Sequence, residues 1–558
     1  MFRQLFKLLC LFILIGCTGS GEISELKPSG LVQSLLQQRI AKLDTSAKPA
    51  TGDFSFYLPQ WVQRFYQRRY GRPAWITTDG NFRNIKDLLT AIRSAGQEAL
   101  DPAAYHLQPL EQSVQALEYP QHAAKPEFVV EAELLATDAF FTYASHLLNG
   151  RINPQDVDPQ WRASVKETDL LELLQGALET RQIAAVFASL MPAHAGYIHL
   201  RRALQRYRNT AKVGGWPAIP GDCPLQNGDH GLRVLILRAR LRAEDEQYDQ
   251  RLPMTRTFDV DLKQAVYDFQ RRYGLQVNGT VGEATLAALN VSIADRIRQI
   301  ELNMERWRWL PQYFGERYLI VNIANFELQI VEKEKRLTTM RAAVGQYYRQ
   351  TPVFSTPLTR LVLNPHWFVP KTIAVEDMLP RIKENPAYLA RHHLRVFQGS
   401  WDDPQEIDAL SIDWSAVTSE NFNYRLRQDP GPDNALGRMK FILANSYDVY
   451  IHDTPVHEQF KQMKRTFSSG CIRIEDPIAL AEYLLKDHPQ WSPQKLRTAI
   501  ESGISQIIQL IDPIPVYLVY WTAWTDENSH VHFREDIYGR DRALDQALQT
   551  RERFNMRF

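Results

Sequence analysis

The chain lacks three features that would each indicate a definite class of protein. Its 558 residues contain only 4 cysteines, too few for a disulfide framework in a chain of this length. Its 65 basic and 64 acidic residues give a formal net charge of +1, so no electrostatic argument favours nucleic acid as a partner. The hydrophobic fraction of 44% and the charged fraction of 23% are typical of globular proteins rather than disordered or multi-spanning ones. At roughly 150 residues per domain, the length predicts three or four domains.

The amino terminus carries a short apolar run. Arg3 and Lys7 precede the stretch Leu8–Ile15, which is too short for a membrane-spanning helix and is typical of a signal peptide. The residues Leu14-Ile15-Gly16-Cys17 resemble the bacterial lipobox, whose cysteine is lipidated and becomes the mature N-terminus.

We therefore predict a lipoprotein signal peptide over residues 1–16, lipid attachment at Cys17 and a flexible tether over residues 17–30. By analogy with other lipoproteins, Thr18 after the cysteine favours the outer membrane. The expected location is the periplasm, with the acyl chains holding the protein on a membrane surface. The alternative is a signal peptide that is cleaved elsewhere and contains Cys17 by chance.

Hydrophobic periodicity changes along the rest of the chain and predicts a multidomain α+β protein. Helical patterns dominate to about residue 213, Gly and Pro mark a linker, and the alternation typical of strands begins near Arg317. The predicted segments are a helical N-terminal scaffold domain (31–213), a linker (214–231), a small helical bundle (232–295), a β-rich domain (317–525) with a partly helical capping insertion (366–436), and a C-terminal strand and tail (526–558). A connection as long as this insertion is usually functional, often a lid.

The strongest candidates for chemistry lie late in the β-rich domain. A predicted strand over Tyr447–His452 ends in a histidine, and Cys471 follows 19 residues later inside Ser468-Ser469-Gly470-Cys471-Ile472-Arg473. A thiol becomes an effective nucleophile when a neighbouring imidazole takes its proton. Small residues before the cysteine allow backbone N–H groups to face a developing oxyanion. The spacing alone does not place His452 beside Cys471, because a segment of this length can close on any distance.

The amino-acid sequence of these segments resembles the signature of the YkuD-type L,D-transpeptidases. The agreement extends to Val344-Gly345 with Arg349-Gln350-Thr351-Pro352, to Asn364-Pro365-His366-Trp367, to Lys440-Phe441 and to Ile451-His452-Asp453-Thr454-Pro455. A second pattern, running from Ala265 to Asn290, resembles the short peptidoglycan-binding domain. Together with the helical scaffold and the long insertion, these motifs make the whole chain similar to the large periplasmic subclass of the family.

The resemblance implies a reaction on peptidoglycan. Cys471 would attack a tetrapeptide stem with release of D-alanine, His452 would act as general base and acid, and the amine of a second stem would resolve the acyl-enzyme into a 3→3 cross-link. Carbapenems would acylate the same thiol. The expected partners are stem peptides as donor and acceptor, a membrane surface through the lipid at Cys17, and other cell-wall synthases.

Further site residues are assigned by motif. The predicted oxyanion hole consists of backbone N–H groups around Gly470 and Cys471, with Tyr450 as a candidate for completing it. The predicted substrate-binding residues are Arg473, Ser468, Ser469, Trp367 and Asn434. Much of the family has a second histidine at the position of Ser469, so the base has to be His452. No cofactor is expected, and no metal either, because the histidines do not stand at metal-ligand spacing.

Several alternatives stay open on the sequence. Arg473 could form an ordinary structural ion pair instead of attracting a substrate carboxylate, and Cys223 could form a disulfide with Cys471. The same nucleophile could serve hydrolysis, as an L,D-carboxypeptidase or endopeptidase. A lipid at Cys17 with a wall-binding module could also form a non-catalytic tether between outer membrane and peptidoglycan. The preferred acceptor is not specified by any residue pattern.

Overall fold

The computed structural model describes residues 30–43, 56–77, 80–119, 125–159, 161, 166, 168–222, 224–244 and 248–555. The predicted signal peptide, Cys17 and Cys223 lie outside these residues, and of the predicted tether only Gly30 is described. The chain divides into two compact units. The first comprises residues up to 93 together with 102–142 and 170–184, and the second comprises 94–101, 143–169 and 185–558.

The first unit is helical, as the sequence predicts for this region. Its helices are Gly30–Ala41, Pro59–Arg68, Arg83–Arg93, Leu107–Glu118, the first part of Pro126–Asn149, and Leu170–Thr180. A buried carboxylate organises its centre, because Glu133 accepts backbone N–H groups of Ala74, Trp75 and Ile76 at 2.7–2.8 Å and the Tyr66 hydroxyl at 2.8 Å. This one side chain therefore satisfies three buried donors of an irregular segment.

The second unit begins with helices and continues into the β-rich domain. Its longer helices before the sheet are Ala195–Lys212, Leu232–Glu244, Val260–Arg272 and Ile293–Arg308, and shorter ones are Pro154–Val157, Ile183–Leu190, Tyr248–Arg251 and Glu283–Leu289. Asp259 caps Val260–Arg272 by accepting the N–H of Leu262. The apolar face of that helix lies in a core shared with the sheet residues Tyr517 and Val519.

A nine-stranded sheet forms the β-rich domain. Its strands are β1 (Arg317–Asn322), β2 (Glu327–Glu332), β3 (Lys335–Gly345), β4 (Phe354–Leu363), β9 (Met439–Leu443), β10 (Ile451–His452), β11 (Thr466–Ser468), β12 (Ile472–Ile474) and β13 (Gln506–Val519). Their order is β11-β3-β12-β10-β9-β4-β13-β1-β2, and the further pairing of β2 with β3 closes the sheet on itself. Helices Pro477–Leu484 and Pro493–Glu501 pack on the same core.

The capping insertion, called the cap below, contains more strand than the sequence predicts. The predicted helical pieces are present as Leu379–Glu384 and Ala387–Arg391, preceded by Lys371–Ile373 and a π-helical turn over Ala374–Met378. The cap also has a four-stranded sheet of β5 (Trp367–Phe368), β6 (Leu394–Gly399), β7 (Pro404–Ile407) and β8 (Arg425–Gln428) in the order β5-β8-β6-β7. It has its own core around Ile382, Val396 and Leu426. These strands are short, so their alternation is weak in the sequence.

The C-terminal segment differs from the predicted strand and tail. The strand is present as β15 (Val531–Phe533), which pairs with β14 (Ala523–Thr525) in a separate two-stranded sheet. The tail is instead a helix, Arg540–Asn555. Its Leu544 and Leu548 are each 1% exposed, and four residues apart they lie on one face. This apolar face packs on the sheet core and explains why the segment is ordered.

No single helix in the described part of the chain is long and apolar enough to cross a membrane. One bent pair, Ile183–Leu190 with Ala195–Lys212, meets the test by length and composition alone.

Candidate active site

Two parallel strands bring the candidate base and nucleophile to neighbouring positions. β10 pairs with β12 so that Ile451 lies opposite Ile472 and His452 opposite Arg473. The N–H of Ile472 donates to the carbonyl oxygen of Tyr450 at 3.0 Å. Cys471 and Tyr450 therefore precede their strands at the same edge of the sheet.

The predicted strand Tyr447–His452 is wrong in its first four residues. Only Ile451 and His452 are strand. Asn445 interrupts it, because its Oδ1 accepts the N–H groups of Tyr447 at 2.9 Å and Val449 at 3.2 Å. Asp448 then adopts a left-handed conformation with φ 54°. The turn brings the carbonyl oxygen of Asp448 to 3.7 Å from the Cys471 Sγ.

His452 is buried as a neutral imidazole of defined tautomer. Its Nδ1 lies 2.5 Å from the carbonyl oxygen of Asp453, which can only accept, so the proton is on Nδ1 and Nε2 keeps its lone pair. Strand neighbours place Lys440 on one side of His452 and Arg473 on the other. Burial and these two cations lower the pKa of His452 to about 3. The imidazole of His452 is therefore neutral in the resting site.

Cys471 lies among one aromatic hydroxyl and two cations. The Tyr450 hydroxyl stands near the Cys471 Sγ and near Trp367 of the cap. Burial raises the pKa of the thiol, while Tyr450, Lys440 and Arg473 act in the opposite direction by favouring the thiolate. The Lys440 Nζ lies 3.8 Å from the ring centroid of Tyr450. These groups would stabilise negative charge as it develops on the sulfur.

The segment Ser468–Cys471, called the nucleophile loop below, is held by its own side chains. Gly470 has φ 114°, a region that favours glycine. Its N–H donates to the Ser468 Oγ at 3.1 Å, and its carbonyl oxygen accepts the Thr351 hydroxyl at 2.8 Å. The Ser468 hydroxyl in turn donates to the carbonyl oxygen of Cys471.

Two residues of this loop already use their polar groups within it. The Gly470 N–H is bonded to Ser468, whereas the Cys471 N–H donates to none of the described residues and is the better candidate for an oxyanion donor. Ser468 is 2% exposed and braces the loop, and its predicted role in substrate binding stays a prediction. Ser469 is exposed and accepts a hydrogen bond from Arg349 at 3.0 Å.

The side chains of Arg473 and Asn434 differ in how many of their polar atoms have partners. Within the described residues Arg473 forms no ion pair. Its Nη1 donates to Gln459 at 3.0 Å and its buried Nε has no partner. Asn434 is 1% exposed and uses its amide inside the cap, donating to Pro365 and Asp429 and accepting from Leu436. In this structure its side chain holds a turn of the cap, and its predicted substrate contact stays a prediction.

Sequence reasoning assigned no role to Lys440 or Arg349. Both stand within segments that carry the family resemblance, at Lys440-Phe441 and Arg349-Gln350, and that position is the only signal the sequence offers for them. Across the described part of the chain, no group of three or more His, Cys, Asp or Glu side chains could hold a metal ion.

Comparison with known proteins finds family matches for three segments of the chain. Residues 316–494 match the family described as "L,D-transpeptidase catalytic domain", residues 60–204 match "Scaffold domain", and residues 230–289 match "Putative peptidoglycan binding domain". A Haemophilus influenzae protein named "Putative L,D-transpeptidase" is 34% identical over 250 residues, which are 45% of this chain and 49% of that protein. The match thus spans about half the length of the curated relative.

Solved structures of low identity are also similar. A Xylanimonas cellulosilytica L,D-transpeptidase is 16% identical, covers 54% of this chain and 99% of its own, and has a TM-score of 0.16. A Stackebrandtia nassauensis L,D-transpeptidase is 13% identical, covers 54% of this chain and 96% of its own, and has a TM-score of 0.21. With TM-scores below 0.5, neither supports an inference about this site. On the family matches, this chain carries a YkuD L,D-transpeptidase catalytic domain preceded by a scaffold domain and a peptidoglycan-binding domain.

Proposed function

We propose that the protein is a cysteine-dependent L,D-transpeptidase that forms 3→3 cross-links in peptidoglycan. One observation carries the chemistry: a buried histidine with a free Nε2 stands one strand away from a buried cysteine that has Tyr450, Lys440 and Arg473 near its sulfur. The family matches supply the substrate class. Binding of peptidoglycan by residues 230–289 belongs to the same proposal.

The proposed first step forms a thioester. The Cys471 Sγ attacks the carbonyl carbon between the third residue and the terminal D-alanine of a tetrapeptide stem, and His452 Nε2 takes the thiol proton. The cations that flank His452 disfavour its protonated form, so it passes this proton readily to the departing amine of D-alanine. The Cys471 N–H and the Tyr450 hydroxyl would hold the oxyanion, a contribution of about 3–4 kcal/mol for each well-placed donor.

The second step transfers the acyl group. The amine of a second stem attacks the thioester, His452 accepts a proton from that amine, and the sulfur leaves and regains its proton. Arg473 would attract a carboxylate of the stem peptide through its buried, unpartnered Nε. Trp367 would shape the donor site from the cap side, because it stands near the Tyr450 hydroxyl.

The decisive experiment is to incubate the protein with a disaccharide-tetrapeptide and to weigh the products. A dimer that lacks one D-alanine supports cross-linking, whereas tripeptide alone would indicate hydrolysis from the same acyl-enzyme. The Cys471→Ala variant should form neither product. Absence of both products and of any mass adduct on Cys471 would overturn the enzymatic proposal and favour a tether.

We propose in addition that a lipid at Cys17 anchors the protein in the periplasm, at the outer membrane. This rests on the amino-terminal sequence alone. Labelling cells with a fatty-acid analogue should mark the wild type and not Cys17→Ala. An unlabelled wild type would contradict the anchor without bearing on the enzymatic proposal.

A further inference from the structure

Arg349 stands between the cap and the nucleophile loop. Its Nη1 donates to the Ser469 Oγ at 3.0 Å, and Ser469 is two residues before the nucleophile. Its Nη2 donates to Glu376 at 2.6 Å and to Asp377 at 3.1 Å, and both acids belong to the π-helical turn of the cap. The Arg349 guanidinium therefore contacts the cap and the nucleophile loop at the same time.

The main chain around Arg349 is part of the support of the nucleophile loop. The N–H of Gln346 donates to the Ser468 carbonyl oxygen at 2.9 Å. Thr351 donates to Gly470 at 2.8 Å and accepts the N–H of Gly345 at 2.9 Å. The segment 346–351, called the brace below, is thus fixed to the nucleophile loop at two points. Movement of the brace would move Ser469 and Gly470 with it.

The contact with the cap is ionic, and the arginine side chain is its buried partner. The Arg349 side chain is 14% exposed, against 59% for Glu376 and 40% for Asp377. Hydrogen bonds between charged partners are stronger than neutral ones, and a planar guanidinium can serve several acceptors together. π-Helical turns are rare and frequently mark functional positions.

Arg395, which belongs to the cap, forms ion pairs that are purely local. Arg395 also pairs with two carboxylates, Glu406 and Asp429. Both belong to the cap, and its side chain is 42% exposed. Arg349 differs because its partners belong to two parts of the domain, one of which carries the nucleophile.

We propose that Arg349 is a positioning residue that couples the cap to the nucleophile loop, so that the cap covers the donor stem peptide while the loop is held in its reactive geometry. This deepens the proposed function and, for the stem-peptide part, rests on it. Without the guanidinium, the cap loses the ion pairs of Glu376 and Asp377, and Ser469 loses its hydrogen bond to Arg349. The donor peptide then binds less well and Cys471 becomes more open to small reagents.

The test compares Arg349→Met with the matched control Arg395→Met in the full-length protein. Hydrogen exchange of residues 371–384 and alkylation of Cys471 by iodoacetamide should both accelerate in Arg349→Met, the exchange roughly tenfold. With tetrapeptide donor, KM for acylation should rise in Arg349→Met and kcat should fall. Arg349→Lys should restore part of the exchange protection, because it keeps the charge. In Arg395→Met the exchange of residues 371–384, the alkylation rate of Cys471, KM and kcat should all stay as in the wild type.

A variant that leaves the brace untouched guards against simple misfolding. Glu376→Gln combined with Asp377→Asn should reproduce the faster exchange and the raised KM. Wild-type exchange and alkylation rates in both Arg349→Met and the double variant would overturn the coupling. If the wild type makes no cross-link while exchange and alkylation respond as expected, the coupling holds and the proposed function fails.

Discussion

The Nδ1 of His452 lies 2.5 Å from the carbonyl oxygen of the very next residue, Asp453. The Asp453 carboxylate is itself fixed, because it accepts the N–H groups of Arg438 and Thr454, each at 2.7 Å. The tautomer of the base is thus set by main chain that cannot easily move. Neither the orientation of the ring nor its free nitrogen depends on a second catalytic side chain.

Replacing this base should abolish most of the chemistry. We expect His452→Ala to slow acylation of Cys471 by a tetrapeptide by about 10²–10⁴-fold, the usual contribution of a general base. The matched control is His457→Gln, an exposed histidine five residues later. Acylation can be followed by the mass of the intact protein. A loss of less than about tenfold in His452→Ala would contradict the assignment.

The pH dependence of thiol reactivity should reveal the buried surroundings of Cys471. Burial raises the pKa of the thiol, and only the thiolate reacts with iodoacetamide. The alkylation rate should therefore rise with pH and keep rising above about 8.5, where an ordinary cysteine is half ionised. A plateau already reached by pH 8 would show that the resting thiol is not perturbed upward.

Lys440 should contribute to that profile. Its ammonium favours the Cys471 thiolate, so Lys440→Met should raise the pKa of the thiol further and move the alkylation curve to higher pH. Lys461→Met removes an exposed ammonium that pairs with Glu458 and should leave the curve in place. Identical curves for wild type and Lys440→Met would remove Lys440 from the site chemistry.

Gly470 should tolerate no side chain, although space is available. The nearest atoms to an added Cβ are carbonyl oxygens at 3.8 and 3.9 Å, so the barrier is the backbone conformation at φ 114°. Holding alanine there costs about 1–3 kcal/mol, and relaxing it would move the nucleophile loop. We expect at least tenfold slower acylation in Gly470→Ala. Gly431→Ala, at a position with open space and no positive φ, should behave as wild type.

The first unit should depend on Glu133 for stability. Glu133→Ala leaves the N–H groups of Ala74, Trp75 and Ile76 without their acceptor, which should lower the free energy of unfolding by about 3 kcal/mol or more. The Tyr66 hydroxyl keeps Thr137 and the main-chain oxygen of residue 133 as partners. Hydrogen exchange of residues 74–76 should accelerate accordingly. Glu127→Ala, an exposed acid in the first turn of the same helix, is the control. Unchanged exchange at 74–76 would show that other groups hold this segment.

The sequence predicted the order of helical and β-rich regions well, because hydrophobic periodicity over long segments is a strong signal. It missed what depends on single side chains acting locally. Asn445 delays the start of the predicted strand by holding a turn, and short strands of the cap carry too few residues for alternation to be recognised.

Long-range pairings were beyond the sequence for a different reason. Arg349 finds its acids 27 and 28 residues away and Ser469 120 residues away, and no local pattern encodes such contacts. The sequence also does not reveal that the N–H of Gly470 donates to the Ser468 hydroxyl, because the motif alone assigns Ser468 to substrate binding.

The parallel pairing of β10 with β12 has a consequence for the segment that joins His452 to Cys471. The register of two short strands determines where His452 and Cys471 stand, while the 18 residues between them only have to return the chain to the same edge. Insertions or deletions in that return would leave the reacting atoms in place. The interval between the two residues is therefore free to vary, whereas Tyr450, two residues before the histidine, and Lys440, opposite it on β9, are held in place by the strands themselves.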